Sequence, residues 1–170
     1  MNRVIVAAAL LATGAALWPE AARYRAEWSL ADANARLSAA LHGRGSAASV
    51  EKALSEARDA ITALPGDPRA PLATAIALLL LQRGDEAKTT LERAIASSGE
   101  RPELTLNLGR ARGTLGDEAG AQAAFLRTAW ASPAAISTLP SPLRAAVLER
   151  VRTLEDALHD GRLEHAPPLD

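Results

Sequence analysis

The chain contains no cysteine, which rules out disulfides and thiolate metal sites and is neutral between compartments. Aromatic residues make up only 3% of the 170 positions, too few for the stacking platforms of single-strand binders. Just two lysines occur, Lys52 and Lys88, against 17 arginines, and the net charge is −1. Both signs are interspersed, so no basic face is offered to a nucleic acid. What is abundant is alanine, 40 residues of it, with few β-branched side chains. That balance indicates an all-α chain from a GC-rich bacterial genome.

Length bounds the architecture next. Beyond the first 18 residues about 150 remain, enough for one domain with a continuous core. The start is different. Met1-Asn2-Arg3 leads into an uncharged apolar run of 15 residues, Val4 to Trp18. A membrane-spanning helix usually takes about 17–25 residues, and a secretory signal has an apolar core of about 7–15. Thr13-Gly14-Ala15-Ala16 offers a weak cleavage site. Trp18 and Tyr24 suit a membrane–water interface, Arg3 and Arg23 can snorkel, and Pro19 can kink the helix at the lipid boundary. A retained anchor over residues 4–18 is therefore expected, with a cleaved leader and then a merely buried helix as the alternatives. Ala7, Ala8, Ala9, Ala12 and Gly14 also give the segment small faces for packing against another membrane helix. By positive charge the two flanks nearly balance, Arg3 and the amino terminus against Arg23, Arg25 and Arg36. The very short leading tail is that of a signal-type sequence. The expected location is a bacterial inner membrane, single-pass, with the soluble part in the periplasm.

The middle of the chain repeats. Ala53, Ala87 and Ala121 fall in a 34-residue register, as do Ala57, Leu91 and Phe125, and again Pro65, Gly99 and Pro133. Stops and starts mark out helices between them. The first soluble helix is predicted from about Glu20 to Leu41, with Leu30, Leu37 and Leu41 on one face. Ser46 caps a second that runs to about Leu64, with Val50, Leu54, Ala57 and Ile61 inward. Pro65-Gly66-Asp67-Pro68 turns the chain, and Asp67 caps a third helix, Arg69 to Gln82. Gly84-Asp85 repeats the stop and cap for a fourth, ending near Ser97. Pro102 opens the fifth, Gly116-Asp117 closes it and caps the sixth, and Pro133 follows. Connections this short make successive helices antiparallel. Ser141-Pro142 then starts a helix with Leu143, Val147, Val151, Leu154 and Leu158 as an apolar stripe. Arg144, Glu149, Arg150, Arg152 and Asp156 face water, as the outer side of a terminal cap must. Residues 161–170 read as a loose tail.

The pattern Leu108-Gly109, Leu115-Gly116-Asp117, Ala121-x3-Phe125, Pro133 resembles a tetratricopeptide repeat. Gly84-Asp85-Glu86-Ala87-x3-Leu91-x2-Ala94-Ile95 is similar to the second half of the same motif. The unit from Asn34 to Asp67 keeps Ala53, Ala60 and Pro65 but lacks the first-helix pattern. Thr128 stands where a small alanine is usual, and Leu78 and Arg112 stand where tyrosine is common. The resemblance covers about 100 residues. It implies a right-handed superhelix of about three helical hairpins, here between an amino-terminal transmembrane helix and a carboxy-terminal capping helix. The repeat-packing positions would be Ala53, Ala87, Leu91, Ala94, Gly109, Ala121 and Phe125. In the family the first helix of each unit lines the concave face. Leu72, Ile76, Leu79 and Leu80 would then line a groove, with Asn107 and Arg110 at its edge, fit for an amphipathic helix or extended peptide.

Motifs for chemistry are weak. Ser49-Val50-Glu51-Lys52 matches S-x-x-K, but the companion elements of acylases are absent, so these are helix-start residues. Gly43-Arg44-Gly45-Ser46-Ala47-Ala48 fits a loose glycine-rich loop with no preceding strand. His159, Asp160, Glu164 and His165 do not share a helical face, so no metal is expected. No catalytic residue, cofactor or small-molecule substrate is expected. The expected role is that of a scaffold whose partners are other proteins, subunits of an envelope membrane complex. Similar family members assist export, cytochrome maturation, secretion or pilus assembly and exopolysaccharide production. The alternative is an exported periplasmic chaperone or carrier without its leader.

Overall fold

The computed structural model describes the backbone of residues 2–162 and the side chains of residues 18–162. Among the described residues every element is helical: α1 (Asn2–Leu41), α2 (Ala47–Ala63), α3 (Arg69–Leu80), α4 (Gly84–Ser98), α5 (Pro102–Thr114), α6 (Glu118–Ala131), a 3-10 helix (Pro133–Thr138) and α7 (Ser141–His159). Consecutive helices pair as α1–α2, α3–α4 and α5–α6, and each pair packs on the next. α1, α3 and α5 also touch one another side by side. Among the described residues the backbones of α2, α4 and α6 make no such contact. The inner layer is thus more closely spaced than the outer, and the array bends toward α1, α3 and α5.

Small residues set this spacing. Ala33, Ala53, Ala57, Ala60, Ala87 and Ala111 are completely buried where helices meet, and Leu30, Leu54, Leu78 and Leu91 fill the volume between. All seven residues expected to pack the repeats, Ala53, Ala87, Leu91, Ala94, Gly109, Ala121 and Phe125, lie in the interior. Phe125 of α6 packs directly against Gly109 of α5: a Cβ placed on Gly109 would sit 2.5 Å from the ring. Thr128, the departure from alanine, is fully buried because its hydroxyl has partners. It donates to the Ala124 carbonyl at 2.8 Å and meets the Thr105 hydroxyl at 2.7 Å.

The core is in two parts. One runs from Ala26 to Ala111 across α1 to α5; the second joins Leu106, Ala121, Phe125 and Ala129 to Ile136, Leu139, Val147 and Val151. The 3-10 helix, announced only by Pro133, thus supplies a fully buried anchor, Ile136. α7 caps the array as expected, but only Val147 and Val151 of its stripe are buried. Leu158 is exposed: among the described residues α7 packs only on α6 and the 3-10 helix. Leu41 is likewise exposed, at the last residue of α1.

Helix ends show where the sequence reading needs correction. α1 does not begin near Glu20: it is continuous through Pro19, which removes one ladder hydrogen bond while those on either side persist. Among the described residues no helix is long and apolar enough to cross a membrane. The expected anchor over Val4 to Trp18 lies, except for Trp18, outside the residues with described side chains. The tail from residue 163 onward, with Glu164 and His165, is outside them too. Asp67 does accept from the Arg69 amide at 2.9 Å, as a cap would. Asp85 does not cap α4; it sits inside the first turn. α3 stops two residues short of Gln82, and Gln82, not Gly84, carries the reversal, at φ 60. There the Arg83 amide bonds Leu78 O and the Gln82 amide bonds Leu79 O, the doubled closure of a Schellman turn. One 34-residue period later Gly116 holds the same place at φ 79, with matching bonds to Gly113 and Arg112.

Two substitutions should move stability in opposite directions. Gln82→Gly relieves a left-handed conformation that glycine adopts freely, and should stabilise by about 0.5–1 kcal/mol. Gly109→Ala gains helix propensity of about 1 kcal/mol but overpacks against Phe125, for a net loss of about 1–2 kcal/mol. Urea and thermal unfolding followed by circular dichroism would show each, at about 2–4 °C per kcal/mol.

Candidate functional site

α3 is apolar almost all round, with α1, α2, α4 and α5 packed on it. Its two open aspects differ. Leu72, Ile76, Leu79 and Leu80, the expected lining of a concave groove, form a half-buried stripe packed against the main core. Asn107 and Arg110, the expected rim, have structural partners. Asn107 is buried: its amide nitrogen donates to Glu103 O at 2.8 Å, and its oxygen accepts from Arg110 Nη1 at 3.2 Å. Arg110 Nη2 reaches the Thr138 hydroxyl at 2.6 Å, fastening α5 to the 3-10 helix. Burial pulls the Arg110 pKa below the ordinary guanidinium value.

At 100° per residue, Thr74 lies on nearly the opposite side of α3 from Leu72. There the splayed outer helices leave a groove of about 680 Å³, with α2 as one wall, α4 as the other and α3 as the floor. None of its lining residues was among the expected partner-binding positions. Ile61, read as inward, is instead 38% exposed on its α2 wall, because α4 stands too far off to cover it. Leu64, Pro68, Pro71 and Ala94 supply further apolar surface at the end near the α2–α3 turn.

The α4 wall is polar. Thr89, Thr90, Ser97 and Ser98 line it, two hydroxyl pairs set two helical turns apart, and Thr74 adds another from the floor. Each hydroxyl donates to a carbonyl of its own helix: Thr89 to Asp85, Thr90 to Glu86, Ser97 and Ser98 to Ala94, and Thr74 to Ala70. Toward the groove they present lone pairs only. That doublet spacing was visible in the sequence and is the signal that could have pointed here.

Charge bridges the two walls at one end. Arg58 of α2 donates to Glu86 of α4 at 3.0 Å, and Arg83 donates to Glu86 at 2.6 Å while approaching Glu51 of α2 at 3.9 Å. Hydrogen bonds from Arg83 and Arg58 hold the Glu86 carboxyl below the usual range. At the other end Arg69 clasps Asp67 and reaches Glu27 of α1 at 2.9 Å. The Arg69 hydrogen bond lowers the Asp67 pKa, outweighing the opposing effect of its partial burial. Among the described residues no group of three or more His, Asp or Glu side chains is arranged to hold a metal ion.

Asp67 gives a pH-dependent stability term. Its folded pKa lies below the unfolded carboxylate value of about 3.9, so its contribution is complete above that value and lost as pH falls through the folded one. Asp67→Asn keeps the acceptor for the Arg69 amide and removes the charge. Solvent around Arg69 screens the pair, so the variant should lose about 0.5–1 kcal/mol at pH 7. Urea titrations of both proteins should converge as pH falls below the folded pKa of Asp67, where the wild-type carboxyl is protonated.

In comparisons with known proteins, no family model, no curated protein and no solved structure matches this chain.

Proposed function

We propose that this chain is a tetratricopeptide-like scaffold tethered to a membrane, which holds or stabilises a larger envelope complex through protein contacts. The observation that carries the reading is the distribution of its few aromatic side chains along α1. Of five in the whole sequence, Trp18 ends the apolar run and Tyr24 and Trp28 lie within about three helical turns of it, and all three are 60–70% exposed. Tyr24 and Trp28 meet edge to face, with ring centroids 6.2 Å apart, on the side of α1 away from Ala26, Leu30 and Ala33. Water-exposed aromatics cost hydrophobic free energy, whereas the interface of a bilayer stabilises their amphipathic rings.

The rest of the chain fits the same role. Paired helices with a 34-residue register are built to hold partners along a face, and both α3 aspects offer surface for that. Residues 4–18 would be the tether, with the repeats on the periplasmic face of a bacterial inner membrane. The scaffold does no chemistry of its own, and its partners are other subunits of the complex.

The test is a mild-detergent pull-down of the full-length protein from native membranes, with mass spectrometry of what accompanies it. One or a few stoichiometric membrane proteins are the expected result. A smear of substoichiometric exported proteins, with an amino terminus cleaved near Ala16, would replace this reading with that of a free chaperone. Carbonate washing should leave the full-length protein in the pellet, and removal of residues 2–18 should release it.

A further inference from the structure

We infer that the groove between α2 and α4 binds an extended peptide segment of about six residues from a partner protein, an inference that rests on the scaffold reading. The segment is apolar on its inward face and carries a basic side chain near Asp85 and an acidic one near Arg93. The wall sets the length of the segment. From Asp85 to Ser98 α4 is about 20 Å long, beside an open groove of about 680 Å³. At about 3.3 Å per residue, six extended residues span the wall.

Hydrogen-bond chemistry points to an extended chain. A docked helix satisfies its own amides, whereas an extended chain arrives with unpaired N–H donors. The hydroxyls of Thr89, Thr90, Ser97 and Ser98 have their protons engaged and face the groove as acceptors. Ile61 and Ala94 offer the apolar contact for alternate side chains.

The polarity comes from the charges. Arg58 and Glu86 neutralise each other, and Asp67 is held by Arg69. Asp85 and Arg93, both exposed and both lining the groove, have no ion pair among the described residues. They are two turns apart on α4, about 12 Å, which matches four residues of extended chain. Basic and acidic side chains spaced i and i+4, with an apolar residue between them, meet both.

The probes are two fluorescein-labelled peptides, Lys-Ser-Val-Ser-Glu-Ser-Val and its charge-swapped form Glu-Ser-Val-Ser-Lys-Ser-Val. Each is titrated against the full-length protein in mild detergent by fluorescence anisotropy. The first should bind saturably below 1 mM, at least ten-fold tighter than the second at low salt. Asp85→Arg combined with Arg93→Glu, two exposed changes whose folding is checked by circular dichroism, should invert that preference. Equal binding of the two peptides, no binding at 1 mM, or an uninverted preference would each overturn the inference. The same double variant is carried through the native pull-down. A complex that forms as before, with no peptide bound, removes the groove and leaves the scaffold reading intact. Loss of the native complex by the double variant, with the swapped peptide bound, supports both; peptide binding by the wild-type protein with no native complex in its own pull-down keeps the groove and removes the scaffold reading.

Discussion

Close approach of helix backbones over small side chains is the constraint from which the rest of the structure follows. An alanine buries little apolar surface, so an alanine-rich core gains enough only if many contacts are tight and nearly void-free. The chain meets this by alternating fully buried alanines with leucines and, at α5–α6, by packing the Phe125 ring against Gly109. No single helix pair encloses such a core. Each depends on its neighbours, and the last, α5–α6, is closed off by the 3-10 helix and α7.

The same spacing makes the two sides of the array unequal. Contacts among α1, α3 and α5 draw the inner layer together, and the outer helices diverge by geometry. Where they diverge, charge replaces apolar packing: Arg58, Glu86, Arg83 and Glu51 bridge α2 and α4 at one end, with water able to enter beside them. Such exposed bridges set register more than they add stability. A groove with a fixed length and a fixed charge order results from helices that pack well on one side only.

Much of the helical framework was legible in the sequence. The 34-residue register located the buried positions because a repeat obliges the same side to face inward each time, and Ser46 and Asp117 announced helix starts as real side-chain caps. What escaped were features that depend on distance between helices. Ile61 obeys the inward period of α2, yet is exposed because its would-be cover stands away. The turn at Gln82 was misplaced because a glycine two residues on drew the reading, whereas tertiary packing fixed the reversal earlier. The 3-10 helix lacks the period of an α-helix, so Ile136 carried no local mark of being core. Of the site, the α3 stripe could be read, but not the outer groove, whose walls come from helices 34 residues apart.

The continuity of α1 through Pro19 has a mechanical consequence. A helix of 40 residues is a rod of about 60 Å, and its last four turns are built into the first hairpin. Whatever grips the first half is joined to the first hairpin by helix, with no loop between them. The missing ladder bond at Pro19 is where such a rod bends. A pull on a bound protein is transmitted along the rod, as a lever transmits a load.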